Sequence, residues 1–154
     1  MVERKSQTAS GKEPAAISTI GGGCGRPEVI VEFLFDRGLL QISVNNIGDR
    51  PAVNVSVKFQ EKILGINGTK EISALALFKN IEFLGPHREI VSLLDSSSSY
   101  FKRNQPTKIS ALVAYGDLEK HTYEVTINHD LEIYRELAFI APLQSEEGNN
   151  ESQY

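Results

Sequence analysis

Between residues 28 and 142, apolar and polar positions alternate with a period of two. The alternation is clearest at residues 52–60, AVNVSVKFQ, and similar runs lie at residues 29–35, 40–45, 109–115 and 122–127. Shorter runs lie at residues 81–84 and 90–94. A period of two places one face of a strand on a core and the other face in water, which is typical of antiparallel sheets. The pattern therefore predicts about seven short strands.

Turn-forming residues separate these runs. Asp36-Arg37-Gly38 predicts a tight hairpin, because Gly38 can adopt a positive φ. Pro51 cannot donate to a ladder, so the loop from Asn46 ends there and a strand begins after it. Gly85-Pro86 and Gly116-Asp117 predict two further turns. Short strands at this spacing predict an all-β fold, an immunoglobulin-like antiparallel sandwich, in which two sheets bury their apolar faces against each other.

The segment from Glu61 to Lys79 is ambiguous in this pattern. Asn67-Gly68 is a strong hairpin signal. Residues 73–78, SALALF, fit either a short helix or an edge strand. We expect a connection that contains one helical turn.

The two ends of the chain differ in composition from its middle. Residues 1–27 are rich in small and polar residues without periodicity, and residues 143–154 are polar and acidic. Such segments bury too little apolar surface to offset the entropy of ordering them. We therefore predict a disordered leader over 1–27, one folded domain over 28–142 and a disordered tail over 143–154.

Composition and charge narrow the classes of partner. The net charge of −4 disfavours nucleic acid and anionic lipid, both of which need a basic face. No run approaches the length of a membrane span, and residues 1–7 lack the apolar stretch of a secretory signal. We expect a cytoplasmic protein, or a surface or periplasmic one only if a leader or anchor was removed. Cys24 is the single cysteine, which excludes an internal disulfide.

Three stretches resemble a known class of domain. They are residues 40–57, LQISVNNIGDRPAVNVSV, the strand end Leu84-Gly85-Pro86, and residues 113–124, VAYGDLEKHTYE. The first has a strand that ends in Asn, a turn that contains Gly, and a Pro-Ala pair that opens the next strand. In this it resembles prokaryotic immunoglobulin-like modules, including the cell-adhesion-related domains found in bacteria. The resemblance implies a fold and not an activity.

Residues capable of chemistry are dispersed. His87, His121 and His129 lack the spacing of metal ligands, and Cys24 lies among glycines without a neighbouring base. The aspartates lie singly near turns, where they commonly cap the backbone. We expect no enzyme, no metal and no cofactor.

The predicted topology gathers three loops at one end of the sandwich. Loops on a rigid scaffold are a usual place for binding, and mixed charge suits a polar protein partner. The candidate binding residues at this end are Asp49, Arg50, His87, Arg88, Asp117 and Glu119.

Three functions are compatible with these observations. The first is a non-catalytic protein-interaction or architectural module, which binds a protein partner or self-associates, with a homodimer through a sheet edge as one form. The alternative is a carbohydrate-binding or adhesion module that uses aromatic platforms, for which Tyr100, Phe101 and Tyr134 are the candidates. The second alternative is an enzyme of unrecognised type.

Overall fold

The computed structural model describes residues 2–6 and 25–137. Cys24, most of the predicted leader and all of the predicted tail over 143–154 lie outside these residues. The strands are β1 (Val2–Ser6), β2 (Val29–Asp36), β3 (Leu39–Asn46), β4 (Ala52–Phe59), β5 (Leu64–Gly65), β6 (Lys70–Glu71), β7 (Ile81–Leu84), β8 (Glu89–Ser96), β9 (Lys108–Gly116) and β10 (Thr122–Asp130). The helices are α1 (Ala76–Lys79) and α2 (Ser97–Lys102), and 3₁₀ turns span Ile72–Ala74 and Leu131–Tyr134.

The strands form two main sheets. One has the order β1-β10-β9-β4-β7, the other has the order β2-β3-β8, and β5 and β6 form a separate small hairpin. Every pairing is antiparallel. The prediction of an all-β antiparallel fold is therefore confirmed.

One hydrophobic core receives side chains from both sheets. Leu40, Ile42 and Val44 of β3 are fully buried, as the alternation predicted, and Val113 of β9 is buried in the same cluster. The fully buried Tyr100 of α2 and the nearly fully buried Phe78 of α1 add two large aromatic side chains. The short helices thus extend the core beyond what the strands alone supply.

Both predicted tight turns have the backbone that their residues favour. Arg37 and Gly38, between β2 and β3, have φ of 50° and 84°. Asn67 and Gly68, between β5 and β6, have φ of 58° and 82°. Positive φ at both central residues matches the right-handed twist of a hairpin. After β6 the chain makes a 3₁₀ turn and then α1, so residues 73–78 are helical and not an edge strand.

The strand β1 is an element that the polarity pattern did not predict. It lies within the expected leader and pairs with β10, with Val2 opposite Ile127 and Ser6 opposite Tyr123. This pairing uses backbone N–H and C=O groups, which every residue except proline carries in full. Residues 3–6 are polar and have no apolar periodicity, so the sequence pattern could not predict the strand.

The helices of the described residues are short. The longest, α2, has six residues, and no helix in the described part of the chain is long and apolar enough to cross a membrane.

Candidate functional site

The three predicted loops lie at one end of the fold, and the buried Asn46 connects two of them, at residues 47–50 and 85–88, to each other and to the chain before β2. Asn46, at the end of β3, donates from Nδ2 to the carbonyl oxygens of Arg50, Leu84 and Gly85 at 2.8, 3.1 and 3.2 Å. Its Oδ1 accepts from the backbone N–H groups of Glu28 and Gly48 at 3.1 and 3.0 Å. Sequence reasoning missed this role, although the position of Asn46 at the end of β3 was part of the motif that carries the resemblance.

The packing at this end leaves no room for a side chain at Gly48. A Cβ there would lie 2.2 Å from the carbonyl oxygen of Arg26. The residue type at Gly48 is therefore dictated by the close approach of the chain before β2.

Two contacts between side chains connect the predicted binding residues. His87 Nε2 lies 3.3 Å from Asp49 Oδ1, and Arg50 Nη2 lies 3.8 Å from Glu119 Oε2. The side chains of His87, Asp49 and Glu119 are largely exposed and that of Arg50 is partly exposed, so each contact contributes little to stability. Arg88 is exposed beside them, in the turn between β7 and β8. Five of the six candidates thus form a mixed-charge surface.

Asp117 differs from the other five because it is 92% buried, with only 8% of its surface exposed. Its Oδ1 accepts from the backbone N–H groups of Glu119 and His121, each at 2.9 Å. Its Oδ2 accepts from Tyr123 Oη at 2.9 Å and lies 3.0 Å from His121 Nδ1. The carboxylate therefore holds the β9–β10 turn and does not belong to the exposed mixed-charge surface that the other five candidates form.

The electrostatics of the hairpin follow from these bonds. Burial alone would raise the pKa of Asp117, but the hydrogen bonds from His121, Tyr123 and Glu119 outweigh it and hold that pKa below its usual range. Burial, together with the bond to this carboxylate, raises the pKa of Tyr123 to about 12. The pair is thus a charged acceptor with a neutral donor, held in that state near neutral pH.

Three potential metal ligands also meet at this hairpin. One ligand atom from each of Asp117, Glu119 and His121 lies within 4.8 Å of the others. Both oxygens of Asp117 already accept two hydrogen bonds each. A cation would have to displace bonds that form the turn, so the geometry favours a structural role for this cluster over metal binding.

A shallow, open groove runs beside the hairpin. It is lined by Val53, Asn54, Glu82, Gly116, Asp117, Leu118, Lys120, His121 and Thr122. It contains acids, a lysine and a histidine, but Asp117, its most buried carboxylate, has no free oxygen for a substrate. This arrangement offers no general base that is both buried and available.

The aromatic residues considered for sugar binding lie in or against the core. Tyr100 is fully buried and donates from its hydroxyl to Pro106 O at 2.6 Å, and Phe101 is 9% exposed. Tyr134 stacks on Phe35 with ring centroids 5.7 Å apart. The expectation that these three rings are free for a ligand is wrong, because α2 and the last 3₁₀ turn pack their apolar faces inward. Phe83 on β7, at 60% exposed, is the exposed aromatic ring that the sequence did not reveal.

A second surface, the outer edge of β8, was not singled out by the sequence. Ile90, Val91 and Leu93 are 36%, 44% and 43% exposed. Over Glu89–Leu93, no strand among the described residues lies on the side away from β3. The signal was present in the run IVSLL at residues 90–94, where apolar residues occur at adjacent positions and so must face both sides of the strand.

The opposite edge of the same sheet is covered. On β2, Val31 O accepts from His129 Nε2 at 2.9 Å, and Phe33 O accepts from Tyr134 Oη at 3.4 Å. Side chains from β10 and the last 3₁₀ turn therefore occupy backbone acceptors that a foreign strand would need. Among the described residues, the edge of β2 is covered in this way, whereas Glu89–Leu93 of β8 has no strand beside its outer edge.

Comparison with known proteins places the chain in a family without assigning it a role. No curated protein and no solved structure matches it. The model of one family, described as a domain of unknown function (DUF8453), matches residues 24–135. That range spans every strand of the two sheets except β1, and it includes the loop end and the edge of β8. The chain therefore belongs to the DUF8453 family.

Proposed function

We propose that this chain is a non-catalytic protein-interaction module that binds an extended segment of a protein along the outer edge of β8. The observation that carries the proposal is this edge, with Ile90, Val91 and Leu93 exposed and no described strand beside it. Exposed apolar edge strands are uncommon because they invite pairing, and proteins that retain one commonly use it to accept a strand.

An immunoglobulin-like sandwich is the frame that we propose for this module. Apart from β1 and the small hairpin, the first, second and fifth strands (β2, β3 and β8) form one sheet. The third, fourth, sixth and seventh (β4, β7, β9 and β10) form the other. The A, B and E strands of immunoglobulin domains share one sheet in the same way, while C, C′, F and G share the second. This topology supports the predicted resemblance to prokaryotic immunoglobulin-like modules.

Two titratable groups with shifted pKa values, Asp117 and His129, bind other parts of the protein, which supports a role without catalysis. The carboxylate of Asp117 is committed to the turn, and His129 is bonded to the backbone of β2. Burial, partly opposed by that bond to Val31, lowers the pKa of His129. Perturbed groups at active sites are usually left available to a ligand, whereas both of these bind the protein itself.

Selection of peptides by display on the purified chain tests the proposal. Peptides should be selected against the native chain after depletion on the Val91→Lys variant, which places a charge on the edge. We expect extended peptides with alternating apolar residues, and we expect them to shift the amide resonances of Glu89, Val91 and Leu93. Peptides that shift only the resonances of Arg50 and Arg88 would move the binding surface to the loop end and contradict the edge proposal.

A further inference from the structure

We infer that the strand accepted by β8 is β8 of a second copy of this chain, so that two sheets join antiparallel across a two-fold axis. This inference rests on the proposed function and identifies the partner at the same edge. It is carried by the direction of the backbone groups, by the length of the free edge and by the placement of its one charge.

The direction of the pairing groups follows from the register with β3. Asn46 N donates to Arg88 O at 3.0 Å, and Val44 lies opposite Ile90. In an antiparallel ladder the groups of every second residue point to the same neighbour. The N–H and C=O groups of Glu89, Val91 and Leu93 therefore point away from β3, toward a position where no described strand lies.

The free edge ends at Leu94. The N–H of Ile66 donates to Leu94 O at 2.9 Å, and Gly65 passes so close that a Cβ there would lie 2.1 Å from the same oxygen. The register of β3 and β8 also shifts between Leu40 and Gln41, which is the position opposite Leu94. The accessible edge is therefore Glu89–Leu93, a length that suits a short strand pairing.

The charge pattern of this edge is compatible with a copy of itself. Glu89 is the one charged residue in Glu89–Leu93. A two-fold axis at Ile90 or Val91 places Glu89 opposite Val91 or Leu93 of the other copy. An axis at Glu89 would place the two glutamates opposite each other, and an axis at Ser92 would place Glu89 opposite Asp95. Like charges directly opposite each other destabilise a strand pair. Among the registers that pair at least three residues of the free edge, only these two avoid the repulsion.

The side chains of the edge also complement one another in these registers. Gln41 of β3 has Leu34 of β2 and Leu93 of β8 as its cross-strand neighbours, and Ser43 has Val91. With the axis at Val91, the two Val91 side chains lie opposite each other and each Leu93 lies diagonal to Val91 of the other copy, on one face of a continuous sheet. With the axis at Ile90, the two Val91 side chains are diagonal neighbours. Such an isologous contact closes on itself and leaves no second free β8 edge.

Light scattering after size-exclusion chromatography, over a wide range of protein concentration, is the first test. We expect a dimer for the native chain, and we expect Val91→Lys to weaken it by about 100-fold or more, because two lysines would meet near the axis. Phe83→Lys is the matched control, since it places the same charge on an exposed apolar residue of β7, the edge of the other sheet. A dimer lost with Phe83→Lys and retained with Val91→Lys would overturn the inference.

Cross-linking measures the register. In a chain with Cys24→Ser, either Ile90→Cys or Val91→Cys should form a disulfide-linked dimer on oxidation, because residues on the axis face their own copies at distances a disulfide spans. A native dimer that neither variant cross-links would overturn the proposed pairing. A native chain that stays monomeric would also overturn it. If the chain is monomeric but the display experiment yields peptides that bind the β8 edge, the dimer is excluded and the proposed function is still supported.

Discussion

At the scale of single residues, Asp117 is held by two backbone and two side-chain donors in the β9–β10 turn. Hydrogen bonds to a charged acceptor are stronger than neutral ones, and a buried donor that loses its acceptor carries a desolvation cost. The stability of the hairpin therefore depends on the charge of this residue as well as on its shape.

We predict that Asp117→Asn lowers the free energy of unfolding by about 2 kcal/mol. The amide nitrogen would face His121 or Tyr123, which are themselves donors. Urea denaturation near neutral pH measures the loss. Asp49→Asn, at a largely exposed carboxylate, is the control and should change stability by less than about 0.5 kcal/mol. Equal effects of the two substitutions would contradict the role assigned to Asp117.

The same carboxylate predicts a pH dependence. Because the pKa of Asp117 in the folded protein lies below its ordinary value of 3.8, the unfolded chain binds its proton first as the pH falls. Its contribution to stability is complete above pH 3.8 and is lost as the pH falls through the lower folded value. Acid denaturation of the native chain should therefore steepen below that pH relative to Asp117→Asn.

Ser43 is a residue whose polar group has no described partner. It is fully buried at the centre of β3, and its hydroxyl makes no hydrogen bond. We predict that Ser43→Ala raises the free energy of unfolding by up to about 1 kcal/mol, because the hydroxyl no longer has to be desolvated. Ser73→Ala is the matched control and should lower stability by about 1 kcal/mol, since Ser73 Oγ accepts from Ile63 N at 3.0 Å. A loss of stability with Ser43→Ala would show that its hydroxyl has a partner in solution.

At the scale of elements, an ion pair ties the β5–β6 hairpin to the end of β8 and to α2. Arg103 Nη2 binds Asp95 Oδ2 and donates to Leu64 O at 3.2 Å. Asp95, only 3% exposed, also accepts from Asn67 N at 3.2 Å. This network holds the segment that covers Leu94, and so it sets where the free edge of β8 stops.

We predict that Arg103→Met lowers the free energy of unfolding by about 3 kcal/mol, because it leaves a buried carboxylate without its charged partner. A double-mutant cycle with Asp95→Asn should give a coupling energy above about 1 kcal/mol. Arg37→Met is the control, since the Arg37–Asp36 pair is exposed and should contribute less than about 0.5 kcal/mol. A coupling energy near zero would contradict the role of the Arg103–Asp95 pair in connecting the β5–β6 hairpin to β8.

At the scale of the whole molecule, His129 joins the two main sheets. It extends from β10 to the backbone of β2, and its ring meets Phe33 edge-on with centroids 5.0 Å apart. Burial lowers the pKa of His129, although the bond to Val31 opposes that shift, so the ring is neutral in the folded protein near neutral pH. The contact between sheets therefore depends on a neutral ring.

We predict that the native chain loses stability as the pH falls below about 6.5, the ordinary pKa of histidine. The unfolded chain takes up the proton in this range while the folded chain resists it. In His129→Gln, whose amide can still donate to Val31 O, the difference in unfolding free energy between about pH 7 and about pH 5 should shrink. An unchanged difference would show that His129 does not carry this pH dependence.

The sequence by itself determined the all-β class, the antiparallel pairing and both tight turns. The physical reason is that these features depend on residues close together in the chain. Alternation along 52–60 sets the two faces of one strand, and the pairs Arg37-Gly38 and Asn67-Gly68 set the backbone of their own turns. It also indicated the loop end, because Asp49, His87 and Glu119 follow predicted strands that end on the same side in an immunoglobulin-like sandwich.

Only the tertiary structure decided which strand lies at an edge and which polar group is buried. Asn46 and the β8 edge have their roles because of backbone and side chains that come together from distant parts of the chain. The polarity of the strand β1 gave no hint of its pairing with β10. A period-two pattern specifies which face of a strand is buried and carries no information about the neighbour that its backbone will find.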